Sequence, residues 1–535
     1  MTPRKIMSMI SGLTLAAGLL LAAPAAHADQ APATPPAEFT TDWHDPVTAA
    51  PPIATPGTRT CEVTLAEARF RDFTPYRGSY APPEECGDAR WNKVVLRLDG
   101  KVKGRQYDRL GYLTLGGVEV FRTSTPEPSP DGIAWSVEKD VTRYRDTLSR
   151  PQPVEMLIGN VVNDTYTGVL DVRVTLTFHT ARGAVKPAAG TPDRVLPLTG
   201  ATLTTPRNTE RILAEVYATG SGGGCEEFWY LTVPDAAPYS CKATDGPYRE
   251  VRISVDGRLA GIAAPFPHVW TGGWSNPFLW YVTPAPRAFD VQPIVYDLTP
   301  FAALLNDGRA HRVEVSVAGV PAGQTGWSVP TNVLLWQDEG REVVTGGLDR
   351  HEVGVPRNSS VHTPGSPDVL ETTGGGSLTV AGHLDTSHGR VSTTVTRTVD
   401  HHSTHRWGAE ENPDALSARW TDDETVTVGR TATRTHRTYT MDGEITVGAD
   451  NRLRTVLAIG DRAAVDVVRN GKRLSWSRLD DTYTGDAAFT LGVPREQRRA
   501  VGTSAERYRL HGTGGCYDRS LRTVQGTLVE DLRRC

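Results

Sequence analysis

Val94-Val95-Leu96-Arg97-Leu98-Asp99-Gly100 decides how this chain is read, because the pattern returns as Val251-Arg252-Ile253-Ser254-Val255-Asp256-Gly257. In each copy apolar side chains recur at alternate positions and the run ends at Asp-Gly. Each therefore reads as a strand with one face in a core, closed by a turn. A second pair of landmarks follows at the same distance. Asp140-Val141-Thr142-Arg143-Tyr144 begins 41 residues beyond Asp99, and Asp297-Leu298-Thr299-Pro300-Phe301 begins 41 residues beyond Asp256. Each leads through a loop into another strand, at 154–158 and 313–317. Two landmarks at equal spacing predict tandem β-domains of like topology.

Strand patterns continue outward from these motifs. Val172, Val174, Leu176 and Phe178 alternate with Arg173, Thr175 and Thr177. Only 143–148 and 302–305 read as single helical turns. From about 349 a loop rich in Ser, Pro and Gly opens into Thr/Val-rich stretches at 377–380, 391–395 and 425–428. The expected class is all-β: two tandem antiparallel jelly-roll or sandwich domains, at 58–185 and 186–348, followed by a third β-rich region at 349–535. A chain of 535 residues exceeds what one core can serve, in keeping with several domains.

The N-terminus has the make-up of a secretory signal. Arg4 and Lys5 precede an apolar run at 10–21, and Ala26-His27-Ala28 fits a cleavage site, so 1–28 is expected to be removed. Residues 29–57, rich in Ala, Pro and Thr, read as a flexible leader. No other stretch is apolar enough to span a membrane. A net charge of -5 favours neither nucleic acid nor an acidic membrane surface. The six cysteines fall into three local pairs, Cys61/Cys86, Cys225/Cys241 and Cys516/Cys535. Fifteen pairings are possible, and the local one is preferred in an exported, extracellular protein. A zinc site is the competing reading, but no Cys-x-x-Cys unit supports it.

Gly-x-Ser-x-Gly, His-Glu-x-x-His and phosphate-loop patterns are absent from the sequence. Carboxylates and aromatic residues remain. In Gly104-Arg105-Gln106-Tyr107-Asp108-Arg109 an Asp at the head of a strand can serve as a base, with Arg109 holding substrate; the plain alternative is a surface ion pair. In Cys225-Glu226-Glu227-Phe228-Trp229-Tyr230 two adjacent carboxylates can split their pKa values beside a disulfide; the alternative is a solvated acidic pair. The stretch 265–274 carries Trp270 and Trp274, whose rings could stack on the apolar faces of sugars or simply fill a core. His401-His402-x-x-His405 could bind a metal, yet no carboxylate motif accompanies it, and no metal site is expected.

At Gly104 to Gly117 (GRQYDRLGYLTLGG), Arg122-Thr123-Ser124-Thr125-Pro126-Glu127-Pro128, Trp135 to Arg143 (WSVEKDVTR), Phe228 to Asp235 (FWYLTVPD), Pro265-Phe266-Pro267 and Thr271-Gly272-Gly273 the sequence resembles the peptide-N-(N-acetyl-β-glucosaminyl)asparagine amidase A family. The resemblance implies hydrolysis of the amide between an Asn side chain and the first N-acetylglucosamine of an N-glycan. It implies N-glycosylated peptides as partners and no cofactor, and the chain is expected to be a monomer. A more distant resemblance to the flavobacterial type F glycoamidase, built from two adjoining jelly rolls, addresses the site. Its catalytic Asp lies in a Trp-Asp-Arg motif, which Tyr107-Asp108-Arg109 is similar to. Its catalytic Glu lies in Cys-Ala-Glu-Trp, which Cys225-Glu226-Glu227-Phe228 is similar to. The resemblance thus implies Asp108 and Glu227 as catalytic, ambiguous by one residue with Glu226; beside it, Arg109, Glu226, Trp229, Trp270, Trp274 and Asn160 are expected to bind substrate. A further functional Glu of that enzyme has no obvious counterpart near Ile158-Gly159-Asn160, leaving Asn160 or Asp164 for its role. A non-catalytic glycan-binding sandwich and an endoglycosidase cutting within the glycan are the competing functions.

Overall fold

Residues 44–86, 91–180, 190–221, 225–272, 274 and 276–535 are described by a computed structural model. The expected signal peptide and most of the leader lie outside these residues. The alternation read from the sequence sets the strands: Leu96 and Leu98 are fully buried, while Arg97 points outward and pairs with Asp99 and Glu138. The first eight strands are β1 (Thr60–Phe70), β2 (Tyr76–Tyr80), β3 (Trp91–Val102), β4 (Leu110–Leu115), β5 (Val118–Ser124), β6 (Ile133–Asp140), β7 (Gln152–Ile158) and β8 (Leu170–Thr180). They form two four-stranded antiparallel sheets, ordered β1-β8-β3-β6 and β2-β7-β4-β5, which is the jelly-roll weave.

The next eight are β9 (Arg194–Pro197), β10 (Thr202–Leu203), β11 (Thr209–Val216), β12 (Glu250–Val255), β13 (Arg258–Ala263), β14 (Ile294–Asp297), β15 (His311–Ala318) and β16 (Thr331–Gln337). Their sheets run β9-β16-β11-β14 and β10-β15-β12-β13, so every strand has its counterpart eight places earlier. The weave is repeated, and it corrects one landmark of the sequence match. Asp140 and Asp297 are true counterparts. They end β6 and β14, and each accepts a backbone N–H two residues on, from Thr142 and Thr299, both at 3.0 Å, to open a helical turn.

The other landmark joins non-equivalent strands. Val251–Val255 lies in β12, the counterpart of β4 rather than β3. Asp256-Gly257 is a two-residue hairpin turn with φ of 48° and 76°, matched in the first roll by Gly116-Gly117 at 59° and 84°. Asp99-Gly100 is no turn. It lies inside β3, and Gly100 is needed there because the Trp135 indole covers it and would overlap a Cβ. The equal spacing arises because the β13–β14 connection, 264–293, is much longer than the β5–β6 connection, 125–132.

Beyond the rolls, one eleven-stranded antiparallel sheet runs hairpin by hairpin from Thr345 to Arg533. Asn470-Gly471 and Gln525-Gly526 make its tight turns, all four residues at positive φ. Its strands reach 19 residues, and one face of each alternates into burial, as with Val395, Val399 and His401 in Gly389–Trp407. That face lies across the second roll. Trp274 and Leu279, from the β13–β14 connection, press on Gly443 and Gly485 of the sheet. His401 and His405 share the buried face, about 13 Å apart along an extended strand, and His402 points the other way, so the three form no metal cluster.

The six cysteines pair as the spacing predicts: Cys61–Cys86, Cys225–Cys241 and Cys516–Cys535. The last part of the leader is not loose. Ala49 is fully buried, its N–H donates to Glu506 at 2.8 Å, and the His44 N–H donates to the Gly526 carbonyl at 3.1 Å. The leader's composition hid the few apolar residues, Val47 and Ala49, that dock it.

Replacing Gly443 tests the contact between sheet and loop. A Cβ at 443 would overlap the Trp274 indole. Gly443→Ala is expected to destabilise the protein by about 1–3 kcal/mol, read as a lowered urea midpoint.

Candidate active site

The two rolls contribute through matching connections. Asp108 closes the β3–β4 connection and Glu227 lies in the β11–β12 connection. Glu127 lies in the β5–β6 connection and Gly272 in the β13–β14 connection. The first pair sits at the end of a roll where the β3–β4, β5–β6 and β7–β8 loops gather.

Asp108 is placed by a braced loop. The Gln106 amide donates to the carbonyls of Val161 (2.9 Å) and Gly168 (3.1 Å) and accepts from Arg109 Nη2 (2.5 Å). The Arg109 N–H donates to Thr125 Oγ1 at 3.0 Å, tying this loop to the one bearing Glu127. Across the seam between the rolls, the Gly272 N–H donates to Asp108 Oδ2 at 2.8 Å. Thr271, next to it, is held by a bond from its N–H to Ser124 Oγ (3.2 Å) and one from its hydroxyl to the Thr125 carbonyl. A Cβ at 272 would lie 3.0 Å from Glu127 Oε1 and 3.3 Å from Asp108 Oδ2. Two carboxyl groups therefore close on the same glycine.

Glu226 and Glu227 begin the short helical turn Glu226–Leu231, behind the Cys225–Cys241 disulfide. The turn sends them to different fates. Glu226 is fully buried in a two-pronged ion pair with Arg249, at 2.6 and 2.9 Å, and accepts the Trp327 indole N–H at 2.5 Å. Glu227 is half-buried and faces the charges of Asp108 and Arg109.

Those charges set the protonation. Burial pushes Asp108 up to about 6, opposed by the Gly272 N–H and by Arg109. Burial and then the Asp108 charge push Glu227 up to about 8, again opposed by Arg109. Burial and the Asp108 charge raise Glu127 well above the usual carboxyl range, against the pull of Arg105 and Arg109. The Gly272 N–H and Arg109 thus favour charge on Asp108, while burial and that charge push Glu127 and Glu227 towards the neutral acid.

Four expected substrate contacts are corrected. Glu226 is locked in its ion pair. Trp229 is 2 % exposed and packs against Trp327 and Trp420, and Trp274 is equally buried on the third sheet. Asn160 is fully buried, donating to the carbonyls of Phe70 (2.9 Å) and Gly168 (3.1 Å), so it braces a loop. Arg109 does lie in the cleft. Trp270 is half-buried, and its indole N–H lacks a protein partner. Asp164 is exposed, and the third carboxyl of the cleft is Glu127. Glu127 stood in the quoted run Arg122 to Pro128. Nothing in the run distinguished it, because only folding brings it to Gly272. Metal-type groups elsewhere, Glu210/Asp338/His388 and the disulfide-bonded Cys516 and Cys535 with His511, do not include any residue of this cleft.

Fold and site together define a two-roll β-protein with a carboxyl-lined cleft at the seam. The sequence matches place it more closely. Residues 46–353 match the family described as peptide N-acetyl-beta-D-glucosaminyl asparaginase amidase A, and the chain belongs to that family. A peptide-N4-(N-acetyl-beta-glucosaminyl)asparagine amidase A of Prunus dulcis is 31% identical over 338 residues, covering 56% of this chain and 58% of that protein. The chain thus spans less than two thirds of that relative's length. Two crystal structures of PNGF-II are also similar, in space groups C2 and P21. Identities are 15% and 14%, TM-scores 0.37 and 0.36, with 53% and 52% of this chain and 66% of each structure covered. A likeness of that size adds nothing to the topology described above.

The neighbouring glutamates should respond oppositely to neutralisation. Glu226→Gln leaves Arg249 buried without its counter-charge and is expected to cost about 3 kcal/mol or more. Glu227 has a higher pKa folded (about 8) than its ordinary 4.5, so ionisation works against the fold progressively between those values. Glu227→Gln is expected to raise stability at pH 8 and leave it nearly unchanged at pH 4. Urea titrations at the two pH values check both.

Proposed function

We propose that this chain hydrolyses the amide bond between an asparagine side chain and the first N-acetylglucosamine of an N-glycan, leaving Asp and releasing a glycosylamine. The observation that carries this reading is the convergence of Asp108, Glu127 and Glu227 on a single cleft, where the Gly272 N–H and Arg109 favour charge on Asp108 and burial favours the neutral acid at the other two. Amide hydrolysis needs a base for the attacking water and an acid for the departing nitrogen. Asp108 takes a proton from water as the oxygen adds to the side-chain carbonyl. Glu227 gives its proton to the glycosyl nitrogen as the C–N bond breaks. Glu127 and Arg109 face the developing oxyanion with donors. Trp270 offers the exposed part of its ring to the sugar.

Family membership and the almond relative's name support the substrate class. The three disulfides support export, with 1–28 as signal peptide and N-glycosylated peptides outside the cell as substrates. The two rolls and the large sheet support domains at 58–185, 186–348 and 349–535.

Digesting a defined glycopeptide in water enriched in oxygen-18, followed by mass spectrometry, tests the reading. An Asp carrying one heavy oxygen at the former glycosylation site is expected. A single sugar retained on Asn would mean an endoglycosidase, and an unchanged glycopeptide a binding protein. Activity is expected to persist with a chelator. Its pH profile should be bell-shaped, rising near 6 as Asp108 ionises and falling near 8 as Glu227 loses its proton. Asp108→Asn is expected to lower kcat by about 10²–10⁴-fold or more.

A further inference from the structure

We infer that His268 is a positioning residue that ties the amide holding Asp108 to the turn carrying Glu227; the inference rests on the function proposed above. A side chain at 272 would crowd both carboxyl groups, because its Cβ would lie 3.0 Å from Glu127 Oε1 and 3.3 Å from Asp108 Oδ2. A glycine so placed has the widest choice of backbone angles, and nothing of its own fixes the direction of its N–H. Thr271 anchors it on the N–H side, and His268 supplies a restraint on the carbonyl side. It is 1 % exposed, and its Nε2 lies 2.9 Å from the Gly272 carbonyl oxygen. Its Nδ1 lies 3.4 Å from the Tyr230 hydroxyl, three residues after Glu227 and beyond the kink at Phe228. The ring is stacked on Trp280 at 5.3 Å, and Trp280 is stacked on Tyr483 of the third sheet at 4.7 Å.

The chemistry permits one tautomer. A carbonyl only accepts, so Nε2 carries the hydrogen. Burial pushes the imidazole down to about 4, against the pull of the Gly272 and Trp270 carbonyls, so the ring is neutral and Nδ1 is bare. Nδ1 then accepts the Tyr230 O–H. Contacts run Asp108, Gly272, His268, Tyr230, and three residues of backbone lead from Tyr230 back to Glu227; the line holds Gly272 from its carbonyl side, one peptide plane beyond the N–H that lowers the Asp108 pKa. The other charged groups facing Asp108 are Arg109 on its own connection, Glu127 on the β5–β6 connection and Glu227 on the β11–β12 connection.

Two variants and a spectrum test this. His268→Phe keeps a ring on Trp280 and loses both bonds. Its kcat is expected to fall about 10- to 100-fold with KM nearly unchanged, and the acid limb of its pH profile to move to higher pH. His268→Gln, whose amide N–H can reach the Gly272 carbonyl, should recover most of kcat and return the limb towards the wild-type position. Tyr230→Phe should give a smaller loss. Independently of activity, nitrogen-15 spectra of histidine-labelled wild type should contain one ring that stays neutral with hydrogen on Nε2 from pH 5 to 8 and vanishes in His268→Phe. A His268→Phe acid limb that stays in place overturns the inference, as does a charged or Nδ1–H ring at 268. Wild type that leaves glycopeptides uncut overturns the function instead, and the spectrum still decides the tautomer.

Discussion

Asp108 is held from outside its own roll. Its partner is a backbone amide, Gly272 N–H, offered across the seam by a connection belonging to the second roll. A carboxylate in such a place has little water to stabilise its charge, and each further carboxyl nearby makes ionisation harder. The one donated hydrogen, with Arg109 behind it, favours charge on Asp108, while burial and that charge push Glu127 and Glu227 towards the neutral form. The division of roles in the cleft therefore depends on where a single peptide plane points.

The third sheet explains why that plane can be held. Both long connections of the second roll are irregular, and irregular backbone needs partners to stay in one conformation. The sheet supplies them. The β11–β12 connection is fixed by Glu411 to the Ser240 N–H (2.5 Å), Asp414 to the Tyr239 hydroxyl (2.8 Å) and Trp420 against Trp229 (5.5 Å). The β13–β14 connection is fixed by Asp461 to Arg287 (2.5 and 2.8 Å) and by the Asn276 amide to the Ala487 carbonyl (2.9 Å). Long flat strands with tight Asn-Gly and Gln-Gly turns make a broad, stiff template, and the loops are cast against it.

How much of this was legible in the sequence depended on whether the deciding force was local. Alternation in Leu96 and Leu98 or in Val172 to Phe178 reflects one buried face per strand, and it gave the all-β class directly. Asp140 and Asp297 repeat because each opens the same helical turn through its own backbone. Asp99-Gly100 misled because a glycine under an indole and a glycine in a turn look alike in one dimension. The site divided in the same way. Resemblance pointed to Asp108 and to the Glu226/Glu227 pair, but only the Arg249 ion pair, twenty-odd residues downstream, separates the two glutamates. Trp274 was read as a sugar platform because aromatic residues near Gly and Pro suit a loop surface, and Trp229 was expected at the substrate beside the paired glutamates. The sheet that buries them is more than a hundred residues further on. Glu127 and His268 have no local signature, since their meaning comes from a glycine in another roll.

The docked segment around Ala49 has a consequence in time. Its partner Glu506 lies 457 residues later in the chain. At ribosomal speeds of about 5–20 residues per second, the stretch from His44 to Ala50 waits roughly 20–90 s before the surface it binds exists. Throughout that interval the segment is undocked, and it is fastened only once the last strands are laid down. The order in which the chain is made thus separates a period of maturation from the finished molecule.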